Sequence, residues 1–384
     1  MNICIITHRY PTPNDPGMFV FVDQLAMAWA DMGIKIIIIN PIPYFVEYSD
    51  KKRFYKKNWY KRTPNGNSIQ IISPRYFRFS DRKIGLVDTQ RIAYSGFQHV
   101  AKHAISTMPE RQDFLYSHFL PAGCHAGDIG AKIGIPSFCA FGESSFWSLD
   151  GWNIGRVRYS LAKLSGIVSV STENKRILVE NHLFREDDIE IFPNGVDHAL
   201  FYPRDKKEMR KKYGFPADAF IGAFTGSFND DKGVLRAQEA AVKAGNVPMI
   251  YIGGGAWKPE GSNVLFCGKL PHEEIPEYLS AADFFILPTK AEGCCNAIIE
   301  AMACGLPIVS SKGAYNDDIL SDVYSIRTDP TDVTTMAKAI KTLREDPERR
   351  SRMADAACEA SKRFDISKRA AAIIEFMKCK TKKG

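Results

Sequence analysis

Asp283 to Ser311 reads DFFILPTKAEGCCNAIIEAMACGLPIVSS, and this stretch sets the fold class. DFFILPT is apolar almost throughout, which suits a strand buried on both faces of a parallel sheet. AIIEAMAC has helical spacing. Asn296 before it suits an N-cap, Gly305 the position just past the helix, and Pro307 a stop. LPIVSS then begins a second buried strand. Strand, loop, helix and strand of these lengths form a βαβ unit. The loop carries Glu292, and Glu300 follows about one turn inside the helix. Two readings of this pair stand side by side. Acids near a helix start are favourable in any helix. The free N–H groups of that start also suit a phosphate, and a carboxylate that accepts two hydrogen bonds matches the vicinal diol of a sugar or ribose.

The same alternation runs outward in both directions. NICIITHRYP, VFVDQLAMAWADMG and IKIIIINPIP make a first βαβ unit, and further units follow as far as IFPNG. The polar stretch YPRDKKEMRKKYGFPADA intervenes, and the alternation restarts at FIGAFTGSF. The expected class is α/β, with two Rossmann-like doubly wound domains at 1–200 and 201–362. Ligands of such sheets bind beyond the strand C-termini, so the chemistry is expected in strand-to-helix loops facing an interdomain cleft. The chain ends in expected helices at about Thr331–Leu343 and Glu348–Lys378.

A chain of 384 residues exceeds one ordinary core. It has no apolar run of about 18 residues, so no transmembrane helix is expected. MNICIITHRY lacks a basic region and a cleavage site, and reads as a strand rather than a signal peptide. Nine cysteines without a CxxC pair suit reduced, mostly buried thiols in a cytosolic protein. No P-loop, HExxH or metal cluster stands out. The triple glycine Gly253–Gly255 suits a tight turn, with a phosphate nest as the other option.

The net charge of +7 is unevenly spread, with 14 Lys/Arg against three acids between Lys51 and Arg111. Within Tyr44–Arg62, the cations Lys51, Lys52, Arg53, Lys56, Lys57, Lys61 and Arg62 are interleaved with Phe54, Tyr55, Trp59 and Tyr60. Basic heads and amphipathic rings suit an anionic membrane surface. A solvated loop is the plain alternative. Nucleic acid is disfavoured, because no RNA-binding motif accompanies the stretch.

EGCCNAIIEAMACGLPIVSS resembles the E-G-x-x-N-x-x-x-E-A-M-A-x-G-x-P-V-V block of retaining family-4 glycosyltransferases with the GT-B fold. IFPNGVDHALFYP (Ile191–Pro203) is similar to the family's P-N-G-V-D block, and FTGSFNDDKGV stands at its phosphate loop. FCGKLPHEEIPEYLSAADFFILPTKAEG resembles its base-binding segment, and HRYPTPNDPGMFVFVDQLAMAWADMG its N-terminal glycine loop and first helix. The resemblance implies that Glu292 faces the donor sugar and that Gly293, Cys294, Cys295 and Asn296 hold sugar and phosphates through their backbone. It implies that Glu300 binds the ribose diol, Lys232 neutralises the leaving diphosphate, and Gly17 closes over the donor. Gly268, Lys269 and Leu270 would meet the base. The family is retaining, typically metal-independent, and needs no cofactor beyond its donor. The implied reaction moves a hexose from a UDP or GDP sugar to a lipid-linked or growing saccharide in bacterial surface polysaccharide synthesis. The implied place is the cytoplasm, peripheral on the inner face of the membrane. Residues 363–384 would pack back on the first domain.

The chain departs from the family at several positions. Ser227 stands where the phosphate loop has an arginine, which makes Arg9 a candidate second cation. Met18 replaces the second glycine of the N-terminal loop. Phe141-Gly142 replaces a His-Gly pair, and Glu143 follows as either an acceptor contact or a capping residue. His118 matches another family histidine and reads either as a catalytic contact to sugar or acceptor, or as a buried hydrogen-bonded side chain. Two other functions stay open: a non-catalytic, membrane-associated nucleotide-sugar-binding subunit, and a nucleotide-sugar epimerase. Cys294 and Cys295 are expected to confer sensitivity to thiol reagents.

Overall fold

The computed structural model describes residues 1–12, 19–44, 56–78, 83–84 and 87–382. The chain forms two α/β units, Met1–Phe192 with the segment from Ser367 onward, and Pro193–Ile366. The division falls before Pro193 rather than at 200/201, because the PNGVD segment bonds within the second unit. Val196 bridges Asp365, and Asn194 bonds to Cys294.

In the first unit the chain runs β1 (Asn2–Ile6), α1 (Val20–Asp31), β2 (Lys35–Ile39), β3 (Ile42–Pro43), β4 (Asn58–Arg62), β5 (Ser68–Ile72), β6 (Arg75–Tyr76), β7 (Lys83–Ile84), β8 (Val87–Asp88) and α2 (Thr89–Ser106). It continues β9 (Phe114–His118), α3 (Leu120–Ile133), β10 (Ser137–Phe141), α4 (Ile154–Leu161), β11 (Gly166–Ser169), α5 (Thr172–Glu180) and β12 (Ile189–Ile191). The eight-stranded sheet has the order β12-β11-β10-β9-β1-β2-β5-β4. After their first residues, Asn2 and Lys35, β1 and β2 consist of buried isoleucines and one buried cysteine, as strands covered by helices on both faces require. The order reverses direction at β1/β9, which is the switch point where such sheets bind ligands.

The basic stretch turns out to include an edge strand. β4 pairs antiparallel with β5, and its residues alternate between exposed and half-buried. Trp59 and Lys61 face inward: Trp59 lies against Tyr10, and Lys61 pairs with Asp23 at 2.5 Å. Tyr60 and Arg62 are exposed, as are Lys56 and Lys57. Lys51, Lys52 and Arg53 lie outside the described residues, as does Gly17.

The second unit runs α6 (Lys206–Tyr213), β13 (Gly222–Ser227), α7 (Val234–Lys243), β14 (Met249–Gly254), β15 (Val264–Gly268), α8 (Ile275–Ser280), β16 (Phe284–Leu287), α9 (Asn296–Ala303), β17 (Ile308–Ser311), β18 (Ser325–Thr328), α10 (Val333–Glu345) and α11 (Pro347–Ser361). Its sheet is parallel throughout, in the order β15-β14-β13-β16-β17-β18, with the switch point at β13/β16. The triple glycine is not a turn at its first two positions. Gly253 and Gly254 end β14, and a side chain on Gly253 would collide with the backbone, its Cβ 1.9 Å from the Gly226 carbonyl oxygen. Gly305 sits just past α9 in the left-handed region, φ 74°, as its place in the sequence implied.

The last expected helix is two helices. α11 ends at Ser361, Phe364 buries its ring, and Asp365 is extended to bridge Val196. α12 (Ile366–Lys382) then packs on the first unit. The Trp29 indole donates to the Ala370 carbonyl at 3.0 Å, Phe376 meets Phe138 and Phe192, and Lys380 pairs with Asp188 at 2.7 Å.

Candidate active site

In the second unit the loops after β13 and β16 emerge side by side at the switch point. The loop after β16 is fixed by hydrogen bonds to the Thr289 carbonyl from Ser311 Oγ at 2.5 Å and Tyr315 Oη at 2.8 Å. The Lys290 amide donates to the Asp231 carbonyl at 2.8 Å, and Asp230 pairs with both Arg236 and Lys290. The two loops are thereby tied together. At their junction the Lys232 ammonium pairs with Glu292 Oε1. Burial alone would lower the pKa of Lys232, but the Glu292 carboxylate outweighs it and raises it, so the ammonium stays charged. The carboxylate and the cation that sequence reasoning assigned to sugar and diphosphate are thus partners of one another here.

Gly293 to Asn296 lead into α9. The helix is capped by Cys295, one residue before the expected Asn296, and the Cys295 side chain makes no capping hydrogen bond. Asn296 is instead the first helical residue, because its Oδ1 accepts from Asn194 Nδ2 at 2.7 Å. Asn194 also donates to the Cys294 carbonyl at 3.2 Å, and so fixes the approach to the helix. The amides left open at this start, with the helix dipole, suit a phosphate. Glu300 follows with a side chain 10% exposed, and His272 Nε2 lies 3.0 Å from its Oε1. Ser227 is exposed at the end of β13. Gly268 ends β15, and the Lys269 chain lies over Gly254, where an added Cβ would come within 2.7 Å of it. Leu270 leads to the short turn His272–Glu274. Ser227, Lys232, Gly268, Glu292 and the start of α9 therefore share the C-terminal edge of one sheet. Asn194, His272 and Lys290 were missed as site residues. All three lie inside stretches singled out for their resemblance, but only the folded chain shows which side chains they touch.

In the first unit His118 ends β9 and is buried, and Glu143 follows β10, the neighbouring strand. Burial, with help from Arg369, pushes the His118 imidazole down to about 3, so it is neutral. Burial pushes the Glu143 carboxyl up to about 7. Ser148 Oγ donates to Glu143 Oε2 at 2.6 Å, and Asn174 Nδ2 donates to the Glu143 carbonyl at 2.7 Å. His118 Nδ1, Glu143 Oε1 and His8 Nε2 are buried and have no hydrogen-bond partner among the described residues. Three adjacent strands, β10, β9 and β1, each end near such an atom. Phe119, directly after His118, holds φ 70°, a region unfavourable to side chains and common at functional turns. Arg9 is exposed just past β1.

Cys294 and Cys295 are both buried, and burial, with the Glu292 charge, pushes the Cys295 thiol well up. The expectation of reactive thiols is corrected accordingly, since the thiolate is the reactive form. Among the described residues no group of three or more His, Cys, Asp or Glu side chains is placed to hold a metal ion, and no helix is long and apolar enough to cross a membrane.

A family model for glycosyl transferases group 1 matches residues 205–360. Over 395 aligned residues the chain is 24% identical to the putative teichuronic acid biosynthesis glycosyltransferase TuaC of Bacillus subtilis (strain 168), covering 97% of each. Several other curated relatives are matched over about half their length. Sucrose-phosphate synthase of Thermosynechococcus elongatus is similar in structure with a TM-score of 0.76, at 17% identity over 100% of both chains. HepE of Anabaena, solved with UDP and glucose, gives a TM-score of 0.70 at 17% identity, over 98% of this chain and 99% of its own. The matched domain and the structural neighbours together give this chain a glycosyl transferases group 1 domain at residues 205–360 and the GT-B fold.

Proposed function

We propose that the chain is a retaining, metal-independent hexosyltransferase. It moves the sugar of a UDP or GDP hexose to a lipid-linked or growing saccharide of a bacterial surface polysaccharide. The observation that carries this reading is the Lys232–Glu292 pair beside the open start of α9. On donor binding Lys232 exchanges Glu292 for the diphosphate, and the helix amides take the remaining phosphate oxygens. Glu292, released, faces the sugar, and Glu300 accepts from the ribose hydroxyls. The bond from the anomeric carbon to the diphosphate breaks, and the acceptor oxygen bonds on the same face. Its proton leaves on the diphosphate, so charge is balanced without a metal. Glu143 and His118 offer the acceptor two hydroxyl partners in the first unit.

The name of TuaC supports a surface polysaccharide as product, and the UDP and glucose held by HepE support a UDP sugar as donor. The exposed cations Lys56, Lys57 and Arg62 support docking on an anionic membrane face. The test is transfer of radiolabelled glucose or mannose from UDP-glucose and GDP-mannose to a lipid extract, in the presence of a chelator. The anomeric configuration of the product is read by NMR. Wild-type turnover in both Lys232→Ala and Glu292→Gln would sink the site. One observation favours a second reading, a nucleotide-sugar-binding subunit without catalysis: the end of β13 carries the hydroxyl of Ser227 where the resembled family has an arginine. Calorimetric donor binding with no transfer to any acceptor would support that reading. Sugar release or inversion without an acceptor would instead indicate an epimerase.

A further inference from the structure

We infer that His272 is a positioning residue for donor recognition: it orients the Glu300 carboxylate toward the ribose and makes donor affinity fall as pH rises. The inference rests on the reading that Glu300 binds the ribose diol. Glu300 projects from α9 with little exposure, and a buried carboxylate requires a hydrogen-bonded or charged partner. His272 supplies it at 3.0 Å, on Oε1, which leaves Oε2 to accept from a ribose hydroxyl. The imidazole is held in place. It sits on a short turn and lies against the ring of Phe201, centroids 5.1 Å apart, and Phe201 is fully buried.

The charges that act most on this imidazole are acids: Glu300 from α9, Glu273 on its own turn and Asp197 from the loop after β12. Burial would strip its proton, but these carboxylates outweigh burial and raise its pKa above the ordinary 6.5. The proton is therefore held below that value and lost as pH rises through the raised one. While it is present, Glu300 is fixed in an ion pair and a positive charge stands near an anionic ligand. Once it is lost, the buried carboxylate has no counter-charge, and the donor's diphosphate approaches an uncompensated negative group. Nothing in the pattern E-x7-E reveals this, because the partner comes from a turn some distance back in the chain.

The test uses equilibrium titration of UDP-glucose, GDP-mannose and ADP-glucose from pH 6 to 9, and of the 2′-deoxyribose counterpart of whichever binds. The diphosphate diester does not titrate in this range and uracil and guanine lose a proton only toward its upper end, so pH dependence over the lower and middle part reports the protein. Wild type should prefer the ribose form about tenfold, the effect of one hydrogen bond to a charged group. Its affinity should fall several-fold across the range. His272→Gln should flatten the pH dependence and reduce the ribose preference. Glu273→Gln, which removes a charge acting on His272 from its own turn, should move the midpoint to lower pH, a shift that a merely structural role for His272 would not produce. If His272→Gln keeps both the preference and the slope, or if Glu273→Gln leaves the midpoint in place, the inference is overturned while Glu300 keeps its role. If Glu300→Gln keeps the ribose preference, the ribose reading falls and the inference with it. If wild type binds none of the three sugars, the donor site as a whole is refuted.

Discussion

Glu143→Gln should make the first unit more stable and the enzyme less active in a single change. Glu143 is 3% exposed, with Ser148 on one carboxyl oxygen and no partner on the other among the described residues. Burial moves its carboxyl from 4.5 to about 7. Between those values the fold keeps a proton that the unfolded chain has released, so the folded state binds more protons and stability falls as pH rises. At about 1.4 kcal/mol per pH unit across that window, the loss approaches about 3 kcal/mol above neutrality. Glutamine never ionises and can still accept from Ser148. The mutant-minus-wild-type difference in unfolding free energy should therefore be small at pH 5 and grow to about 2–3 kcal/mol by pH 8. Urea unfolding of both proteins at several pH values measures it, and the subtraction removes every other titrating group. A difference that stays flat with pH refutes the protonated carboxyl. Sugar transfer by the same variant is the second readout. Unchanged transfer would remove Glu143 from the acceptor site while leaving the stability argument intact.

Lys232→Ala should lower turnover by about 10²–10³-fold at saturating donor, the usual effect of losing one transition-state charge contact; steady-state kinetics measures it. A disulfide reagent should label exposed Cys379 quickly and Cys294 and Cys295 slowly. Mass spectrometry of the labelled sites checks the order, and fast inactivation through the buried pair would contradict it. Gly253→Ala should cost about 3 kcal/mol or more, because its Cβ has no room beside the Gly226 carbonyl; a wild-type melting temperature would show that the strands can part. Lys56→Glu with Lys57→Glu should weaken sedimentation with anionic liposomes at low salt. Lys61→Glu should mainly lower thermal stability, since Lys61 is engaged with Asp23.

Much of the fold was legible because burial on both faces writes strands as continuous apolar runs. DFFILPT and IKIIIINP need no partner to be recognised, and Gly305 and Pro307 mark where α9 must stop. The errors fall where distant contacts override local preference. Asn296 is a good cap, yet Asn194 draws its side chain away and the helix starts one residue early. The segment 348–378 has unbroken helical spacing, yet Phe364 and the Val196–Asp365 bridge split it. NWYKR looked like part of a basic surface stretch, yet β5 offers it an edge, and the alternation that follows turns Trp59 and Lys61 inward. The positions of Ser227, Lys232, Gly268, Glu292 and the start of α9 on one sheet edge were legible from the strand-loop-helix alternation. Their mutual pairing was not, since Lys232 and Glu292 meet only through the adjacency of β13 and β16, and His272 meets Glu300 only through the turn before α8.

At the C-terminal ends of their strands the two units handle buried ionisable groups in opposite ways, and the contrast bears on what each can bind. In the second unit the charges are kept by pairing them: Lys232 with Glu292, His272 with Glu300. A ligand entering there must offer charge in exchange, as a diphosphate does, and its affinity must depend on pH and salt. At the ends of β1, β9 and β10 in the first unit the charges are given up. His118 and His8 are pushed down to about 3 and about 4, Glu143 is pushed up to about 7, and each retains a buried atom without a partner among the described residues. Each such atom forgoes about 1–3 kcal/mol that a hydrogen bond would recover. Neutral imidazoles and a half-protonated carboxyl can each donate or accept, and a hydroxyl can do both, so a polyhydroxylated molecule can satisfy all three. A salt titration separates the two cases. Donor affinity should fall with ionic strength, whereas binding of a neutral saccharide to the first unit should not. Equal salt sensitivity for both would mean that the first unit binds through its arginines rather than through these strand ends.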